Sequence, residues 1–250
     1  MSPGLGGTIA RPDSSLPPMP RRPPPALRLC AAALVLGLSS AALAFSDTRS
    51  EEIASCLPGE LQTWGDGRDV PSRRAAWLFV YSHEGAPAWF SATQVLAVLD
   101  RAARAWAPCG VPVQVLDAAA ALQGPADRAQ GQVQVLWSDS AVRGNFAAAN
   151  LSQGLLALSP AMFALLRLRN PQYPAQETLQ MAVAHEMGHF LGLVAHSRRC
   201  VDVMSYYDDG KGGRCSLRDP AALKRHIEYR ASLPTACDIQ RCRSANGLAR

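Results

Sequence analysis

The chain has 250 residues, of which 48% are hydrophobic and 18% are charged, and this composition excludes a long disordered or fibrous protein. Its formal net charge is +5, but residues 1–44 carry four Arg and one Asp; without them 21 Lys and Arg face 19 Asp and Glu, a charge of +2. Because this excess is small and no basic run is interleaved with aromatic residues, we expect no nucleic-acid partner.

Residues 1–44 have the pattern of a secretory signal peptide. A basic, Pro-rich stretch precedes an apolar run from Cys30 to Ala44, which ends in the small-residue cleavage pattern Ala-Leu-Ala. This run is too short for a comfortable membrane span. Met19 is an alternative start that gives a signal of more usual length. The sequence therefore predicts a secreted or periplasmic protein with no stable membrane association after signal cleavage.

The rest of the chain is long enough for one domain with a hydrophobic core. Residues 45–74 are polar and predict an N-terminal extension, residues 75–235 the main domain and residues 236–250 a C-terminal tail. Alternating apolar residues predict strands at 76–82, 111–116, 132–137, 144–149 and 154–158. Start signals predict helices at 91–106, from about Pro174, and at 219–231, the last beginning with Asp219-Pro220.

Six cysteines follow the signal peptide, and an even number in an exported chain predicts disulfide bonds. Six cysteines allow fifteen pairings. Our hypothesis is the set Cys200–Cys215, Cys237–Cys242 and Cys56–Cys109.

The strongest motif in the chain reads His-Glu-Met-Gly-His-Phe-Leu-Gly-Leu-Val-Ala-His. On a helix His185 and His189 lie one turn apart on the same face, so both imidazoles can bind one metal ion. Glu186 lies beside them, where a carboxylate can take a proton from an activated water. Gly192 lets the chain leave the helix with a positive φ. His196 follows, and completes a three-His zinc site with an open fourth position.

An amphipathic helix with two surface histidines is the simplest alternative explanation of this motif. The helix is apolar around most of its circumference, which indicates burial. The apolar residues are Leu179, Val183, Met187, Phe190 and Leu191. Histidine and glutamate on a buried helix require a function, so the alternative is disfavoured.

A second motif runs from Cys200 to Tyr207, and the two motifs together resemble the metzincin zinc metalloproteases, most closely the matrixin-like bacterial secreted peptidases. In that family the methionine matched by Met204 packs beneath the zinc histidines. Tyr206 matches a tyrosine that reaches the zinc or the developing oxyanion in some branches. The resemblance implies an α+β catalytic domain over residues 75–235, with a twisted mixed five-stranded sheet, two long helices, a Met-turn and a C-terminal helix.

The chain departs from the family pattern at the third ligand. Metzincins place two residues between the glycine and the third histidine, whereas three lie between Gly192 and His196. Asp202 or Asp208 is the alternative third ligand, since carboxylates also bind zinc. We predict His196, because one added loop residue costs only a few tenths of a kcal/mol in closure entropy.

The site residues predict a zinc-dependent metalloendopeptidase with one catalytic Zn²⁺. Glu186 would be the general base and Tyr206 a hydrogen-bond donor to the oxyanion. The resemblance implies that the strand at 144–149 is the edge of the sheet above the cleft, where a protein or peptide substrate would add to it. We expect a monomer. Matrixins also bind calcium, for which this sequence gives no indication.

The alternative function is a secreted zinc-binding module with the metzincin fold and no proteolytic activity. The lengthened third-ligand loop favours this alternative. Glu186 argues against it, because a structural zinc needs no adjacent base and usually has four protein ligands.

Overall fold

The computed structural model describes residues 47–122 and 131–248 of an α+β fold, so the expected signal peptide lies outside the described residues. The helices are α1 (Thr48–Ala54), α2 (Ala92–Trp106), α3 (Ala118–Ala121), α4 (Asp139–Val142), α5 (Pro160–Arg169), α6 (Ala175–Phe190) and α7 (Ala236–Ala245). The strands are β1 (Trp77–Tyr81), β2 (Val113–Asp117), β3 (Gly131–Trp137), β4 (Ala147–Asn150) and β5 (Leu155–Leu158). None of these helices is long and apolar enough to cross a membrane.

The five strands form one mixed sheet in the order β2-β1-β3-β5-β4. Strands β2, β1, β3 and β5 are parallel to one another. Strand β4 pairs antiparallel with β5, from Ala147 opposite Leu158 to Asn150 opposite Leu155. This confirms the predicted mixed five-stranded sheet, with strand ends that shift by up to three residues. In the part of the chain that the structure describes, β4 is therefore the edge strand of the sheet.

The two long helices α2 and α6 pack against each other. Helix α2 begins with the predicted capping box, in which Ser91 Oγ accepts from Gln94 N (3.2 Å) and Ser91 N donates to Gln94 Oε1 (2.8 Å). Its predicted apolar face is buried at Val95, Leu99, Ala102 and Trp106. Trp106 also donates from Nε1 to the carbonyl of Ala184 at 2.9 Å, which fixes α2 beside the middle of α6.

The prediction of a helix at 219–231 is wrong. Only a short 3₁₀ turn forms at Ala222–Arg225, because the backbone further on bonds to other segments. Arg49 donates to the carbonyls of Tyr229 and Arg230, both at 2.8 Å, and Ala231 N donates to Val201 O at 2.7 Å. These tertiary bonds replace the helical ones.

Helix α7 lies within the segment expected to be a C-terminal tail. It begins with a capping box in which Thr235 Oγ1 accepts from Asp238 N, at 3.2 Å, and Thr235 N donates to Asp238 Oδ2, at 3.0 Å. Cys237 and Cys242 on this helix are fully buried.

The disulfides confirm one predicted pair and correct two. Cys200–Cys215 forms as predicted. The predicted pairs Cys237–Cys242 and Cys56–Cys109 are wrong, because the structure has Cys56–Cys237 and Cys109–Cys242. Two residues five positions apart on α7 point about 140° away from each other around the helix axis, so they reach different neighbours. Helix α7 is thereby tied to the end of α1 and to the turn after α2.

Candidate metal centre

Helix α6 carries the first two histidines of the motif on a rigid support. It starts after Pro174 and is buried along most of its length, with Leu179, Val183 and Met187 fully enclosed. The predicted buried helix is thus observed. Its last turn presents His185 and His189 on one face, where their ring centroids are 5.0 Å apart.

The chain leaves α6 at Gly192, whose φ is +107° as the motif predicts. A Cβ at this position would collide with the carbonyl oxygen of Val70, which belongs to the N-terminal extension. Val70 N donates to Gly192 O at 3.0 Å. Glycine is therefore required twice here, for the left-handed backbone and for the close approach of another segment.

The structure brings the three histidines of the motif together. One ring nitrogen from each of His185, His189 and His196 lies within 4.8 Å of the others. The Nε2 atoms of His185 and His196 are 3.1 Å apart. The three-residue spacer after Gly192 therefore still delivers the third imidazole to the first two.

The two alternative third ligands lie elsewhere. Asp202 is fully buried, and its carboxylate accepts hydrogen bonds from Ser197, Arg199 and Thr235. Asp208 accepts from the backbone of Gly210 in an exposed turn. Among the residues that the structure describes, neither aspartate shares the metal-sized cluster with the histidines.

The donor chemistry of the triad fits a cation such as zinc. His185 Nδ1 lies 2.7 Å from Val203 O, His189 Nδ1 lies 2.6 Å from Leu193 O, and His196 Nδ1 lies 2.6 Å from an Asp66 carboxylate oxygen. Each acceptor requires a proton on Nδ1, so each neutral ring keeps its lone pair on Nε2. Three such nitrogens within 4.8 Å of one another can bind one zinc ion together.

Burial keeps the two helical histidines neutral. It lowers the pKa of His185 well below the usual value, and the charge of the neighbouring imidazoles lowers it further. Burial, followed by the charge of His196, lowers the pKa of His189 to about 4. Neutral imidazole is the form that binds a metal, so the site is ready to do so at neutral pH.

Glu186 lies against the edge strand β4. Its Oε2 accepts a hydrogen bond from Ala149 N at 2.7 Å. Burial raises the pKa of Glu186 to about 7, although this hydrogen bond works in the opposite direction. A carboxylate with a pKa near neutrality can both accept and return a proton.

A cavity of about 490 Å³ opens over the three histidines. Besides the histidines, its lining includes the ionisable groups of Glu186 and Arg230, and the β4 segment 147–149 forms one wall with small side chains. Ser205 and Tyr206, which follow Met204, also line it. The cavity therefore has room for an extended chain between β4 and the residues after Met204.

Met204 packs against α6 as the resemblance implies. It is fully buried, and a Cβ added at Gly188 would collide with its Sδ and lie 2.9 Å from Trp106 Cζ2. Gly188 lies between the two helical histidines in sequence. Met204 thus supports the turn of α6 that carries them.

Tyr206 lies beside the third histidine. Its ring centroid is 4.6 Å from that of His196, and its hydroxyl donates to Asp66 Oδ2 at 2.5 Å. Burial and the hydrogen bond to Asp66 raise the pKa of Tyr206, so the hydroxyl keeps its proton. The structure therefore places the predicted tyrosine at the site, with its hydroxyl bound to an aspartate.

Asp66 is the site residue that the sequence does not predict. It belongs to the N-terminal extension and touches both His196 and Tyr206. Burial acts to raise the pKa of Asp66, but the hydrogen bonds from Tyr206 and His196 outweigh it and lower the pKa to about 2. An isolated Gly-Asp-Gly in a polar stretch has no motif that would mark it, so only the fold reveals the contact.

No protein-family model matches the chain, and no curated protein matches its sequence. One similar solved structure is a chain of the GM1-bound ECX AB5 holotoxin, with a TM-score of 0.42 and 14% identity over 69% of this chain and 80% of that one. Another is a zinc-dependent peptidase from Methanocorpusculum labreanum strain Z, with a TM-score of 0.35 and 16% identity over 67% of this chain and 99% of that one. Both TM-scores are below 0.5, so neither similarity carries an argument about this chain.

Proposed function

We propose that this protein is a secreted zinc-dependent metalloendopeptidase of the metzincin type. The observation that carries the proposal is the cluster of three imidazoles next to Glu186 in an open cavity beside the edge strand β4. The three disulfides support a role in an oxidising compartment.

His185, His189 and His196, which line the cavity, would hold the zinc. Bound zinc would lower the pKa of a water toward about 7 and polarise the scissile carbonyl. Glu186 takes a proton from the attacking water and delivers it to the leaving amine. Its contact with Ala149 N fixes the carboxylate next to the substrate wall while the proton is held.

The edge strand β4 would bind the substrate backbone. An extended peptide adds to the outer side of such a strand by main-chain hydrogen bonds, here next to the N–H of Ala149 that is bonded to Glu186. Ala147, Ala148 and Ala149 line the cavity and keep this wall shallow. Recognition through backbone atoms suits an endopeptidase that acts within a chain.

Tyr206 would donate a hydrogen bond to the oxyanion that forms on the scissile carbonyl. Its hydroxyl carries a proton and lies next to His196 at the cavity wall. In this role the hydroxyl turns from Asp66 toward the substrate. A positioned donor of this kind is typically worth a few kcal/mol in the transition state.

The test of the proposal is the variant Glu186→Gln, measured beside Glu177→Gln as a matched control on the same helix. We expect the first variant to bind one equivalent of zinc and to cleave casein at least about 100-fold more slowly than the parent, because the general base is gone. Glu177 is exposed in the first turn of α6, so its variant should keep the parent rate.

Two results would contradict the proposal in different ways. A Glu186→Gln protein that folds, holds zinc and cleaves at the parent rate excludes the general-base role. A parent protein that binds zinc but cleaves neither casein nor a mixed peptide library would instead be the non-proteolytic zinc-binding module.

A further inference from the structure

We propose that Asp66 is a positioning residue of the metal centre, which holds the His196 imidazole and the Tyr206 hydroxyl with a single carboxylate. The inference rests on the proposed function in one respect, since it takes the histidine triad to be the zinc site. It adds a residue of the N-terminal extension to a site otherwise built from residues 185–206.

The contacts of Asp66 are all directed at the third ligand and its neighbour. Oδ1 accepts from the backbone N of His196 at 3.0 Å, and Oδ2 lies 2.6 Å from His196 Nδ1 and 2.5 Å from the Tyr206 hydroxyl. The side chains of His196 and Asp66 are only 22% and 30% exposed. One carboxylate therefore determines the ring orientation, the backbone position and the tyrosine rotamer together.

The third histidine is held differently from the first two. His185 and His189 donate from Nδ1 to main-chain carbonyls. His196 instead donates to a carboxylate, the stronger acceptor, which raises the basicity of the nitrogen that faces the metal. Because His196 is on a loop rather than on α6, it needs this additional restraint.

The N-terminal extension bonds to the C-terminal end of the lengthened loop. Trp64 N donates to His196 O at 3.0 Å, and Asp69 Oδ1 accepts from Ala195 N at 3.1 Å. Asp66 lies between these two contacts in the sequence. The end of the three-residue spacer, at Ala195 N, and both backbone groups of His196 thus bond to the extension, which fixes the position at which the longer loop delivers His196.

Tyr206 is fixed in the same assembly. Its ring stacks on Trp64, with centroids 5.7 Å apart and planes 8° apart, and its other neighbour is His196. The bond to Asp66 sets the direction of the hydroxyl. The carboxylate therefore couples the position of the metal ligand to that of the proposed oxyanion donor.

Asp66→Asn tests this inference with almost no change in volume. An amide has one acceptor and one donor end, so either orientation places an N–H against a donor of His196. If the amide nitrogen faces Nδ1, it favours the tautomer with a proton on Nε2, which cannot bind the metal. We expect zinc affinity to fall about 10- to 100-fold in a chelator competition assay.

Asp69→Asn is the matched control, because Asp69 also accepts a backbone N–H from the loop but contacts no imidazole. Its variant should lose stability, since it also weakens the ion pair with Arg241 (2.8 Å), and should keep near-parent zinc affinity in the folded protein. Tyr206→Phe should also keep zinc affinity, because the hydrogen bond that His196 Nδ1 donates to Asp66 is intact.

For each variant we measure both the zinc affinity and the urea unfolding free energy of the metal-free protein. The two values together distinguish a loss of zinc binding from a loss of stability. The inference is overturned if Asp66→Asn binds zinc like the parent, or if its loss of affinity is no larger than that of Asp69→Asn. Asp66→Ala repeats the comparison should the amide variant fail to fold. Failure of the proposed function is recognised separately, because the parent itself would then bind no zinc or cleave no peptide.

Discussion

Gly188 and Met204 fit together because the glycine has no Cβ. Replacing Gly188 by alanine would push a methyl group into Met204 Sδ and toward Trp106, so the buried methionine and this turn of α6 must shift relative to each other. We predict that Gly188→Ala lowers the urea unfolding free energy by about 1–3 kcal/mol, the usual cost of overpacking a core. Zinc affinity should fall as well, since the shift moves both helical histidines.

A double-mutant cycle checks that Gly188 acts through Met204. Adding Met204→Ala to Gly188→Ala should recover part of the lost stability, whereas Met204→Ala alone leaves a cavity and destabilises. Strict additivity of the two changes would show that the glycine is not required by this contact.

Tyr206→Phe removes only the hydroxyl that the mechanism uses. We predict that kcat falls about 100-fold or more, in the range found for loss of an oxyanion donor, while KM and zinc content stay near the parent values. Steady-state kinetics on a fluorogenic peptide with measured zinc content decide the matter. An unchanged kcat would leave Tyr206 as a packing partner of Trp64 and His196.

Single residues differ in how far the sequence reveals them. The H-E-x-x-H spacing places His185, Glu186 and His189 on one helical turn without any knowledge of the fold. His196 can be predicted as the third ligand because zinc is often bound by histidine. The prediction also requires that one added loop residue costs little closure entropy. Asp66 lies 130 residues from its partner in sequence, within no periodic pattern, so only the folded chain brings it to the site.

At the level of elements, local signals that agree with burial are the reliable ones. The capping box at Ser91 and the apolar face of α2 both appear as predicted. The Asp219-Pro220 signal fails because tertiary bonds from Arg49 to the carbonyls of Tyr229 and Arg230 compete with helix formation. The sequence does not determine the disulfide pairing for a similar reason, because the partners of Cys237 and Cys242 depend on where α7 packs.

The two disulfides of α7 close far longer loops than the third one. Their sequence separations are 181 and 133, compared with 15 for Cys200–Cys215. In the chain-entropy model each long bridge contributes about 5 kcal/mol and the short one about 3 kcal/mol. We predict that a Cys56→Ala/Cys237→Ala protein unfolds at a lower urea concentration than a Cys200→Ala/Cys215→Ala protein.

Equilibrium unfolding of the two double variants, purified with the remaining bridges confirmed by peptide mapping, tests this order. The reverse order would mean that the Cys200–Cys215 loop contributes native-state contacts that outweigh the difference in loop length.

At the scale of the whole molecule, a buried acidic pair makes stability depend on pH. Asp202 and Asp238 share the hydroxyl of Thr235, at 2.6 Å and 3.1 Å, inside the core. Burial, followed by the charge of Asp238, raises the pKa of Asp202 to about 7, and burial raises that of Asp238. Arg199 and Arg241 offset part of this cost.

Between about pH 4 and pH 7 the folded protein therefore retains a proton on this pair that the unfolded chain has released. The free energy of unfolding contributed by the pair falls as pH rises through that window. We predict that Asp238→Asn gains stability over the parent between pH 5 and pH 8, on the order of 1–3 kcal/mol. Asp238 Oδ1 has no partner among the described residues, so an amide nitrogen can occupy its place.

Urea unfolding of the metal-free parent and of the metal-free Asp238→Asn protein, at pH 5 and at pH 8, measures the effect. The two proteins contain the same histidines, so the contribution of the histidines cancels in the difference between them. Parallel pH profiles for parent and variant would show that the pair carries no shifted proton.

The disulfides Cys56–Cys237 and Cys109–Cys242, which connect α7 to segments much earlier in the sequence, also affect how the native disulfides form. In synthesis from the N-terminus, Cys56 and Cys109 emerge long before Cys237 and Cys242, their native partners. In an oxidising compartment the thiols of Cys56 and Cys109 can form a non-native disulfide before their partners are available. A thiolate must later attack this disulfide, by thiol–disulfide exchange, before the native pairs can form. The yield of native protein should therefore depend on a disulfide isomerase, and an oxidant alone should leave much of the nascent chain wrongly cross-linked.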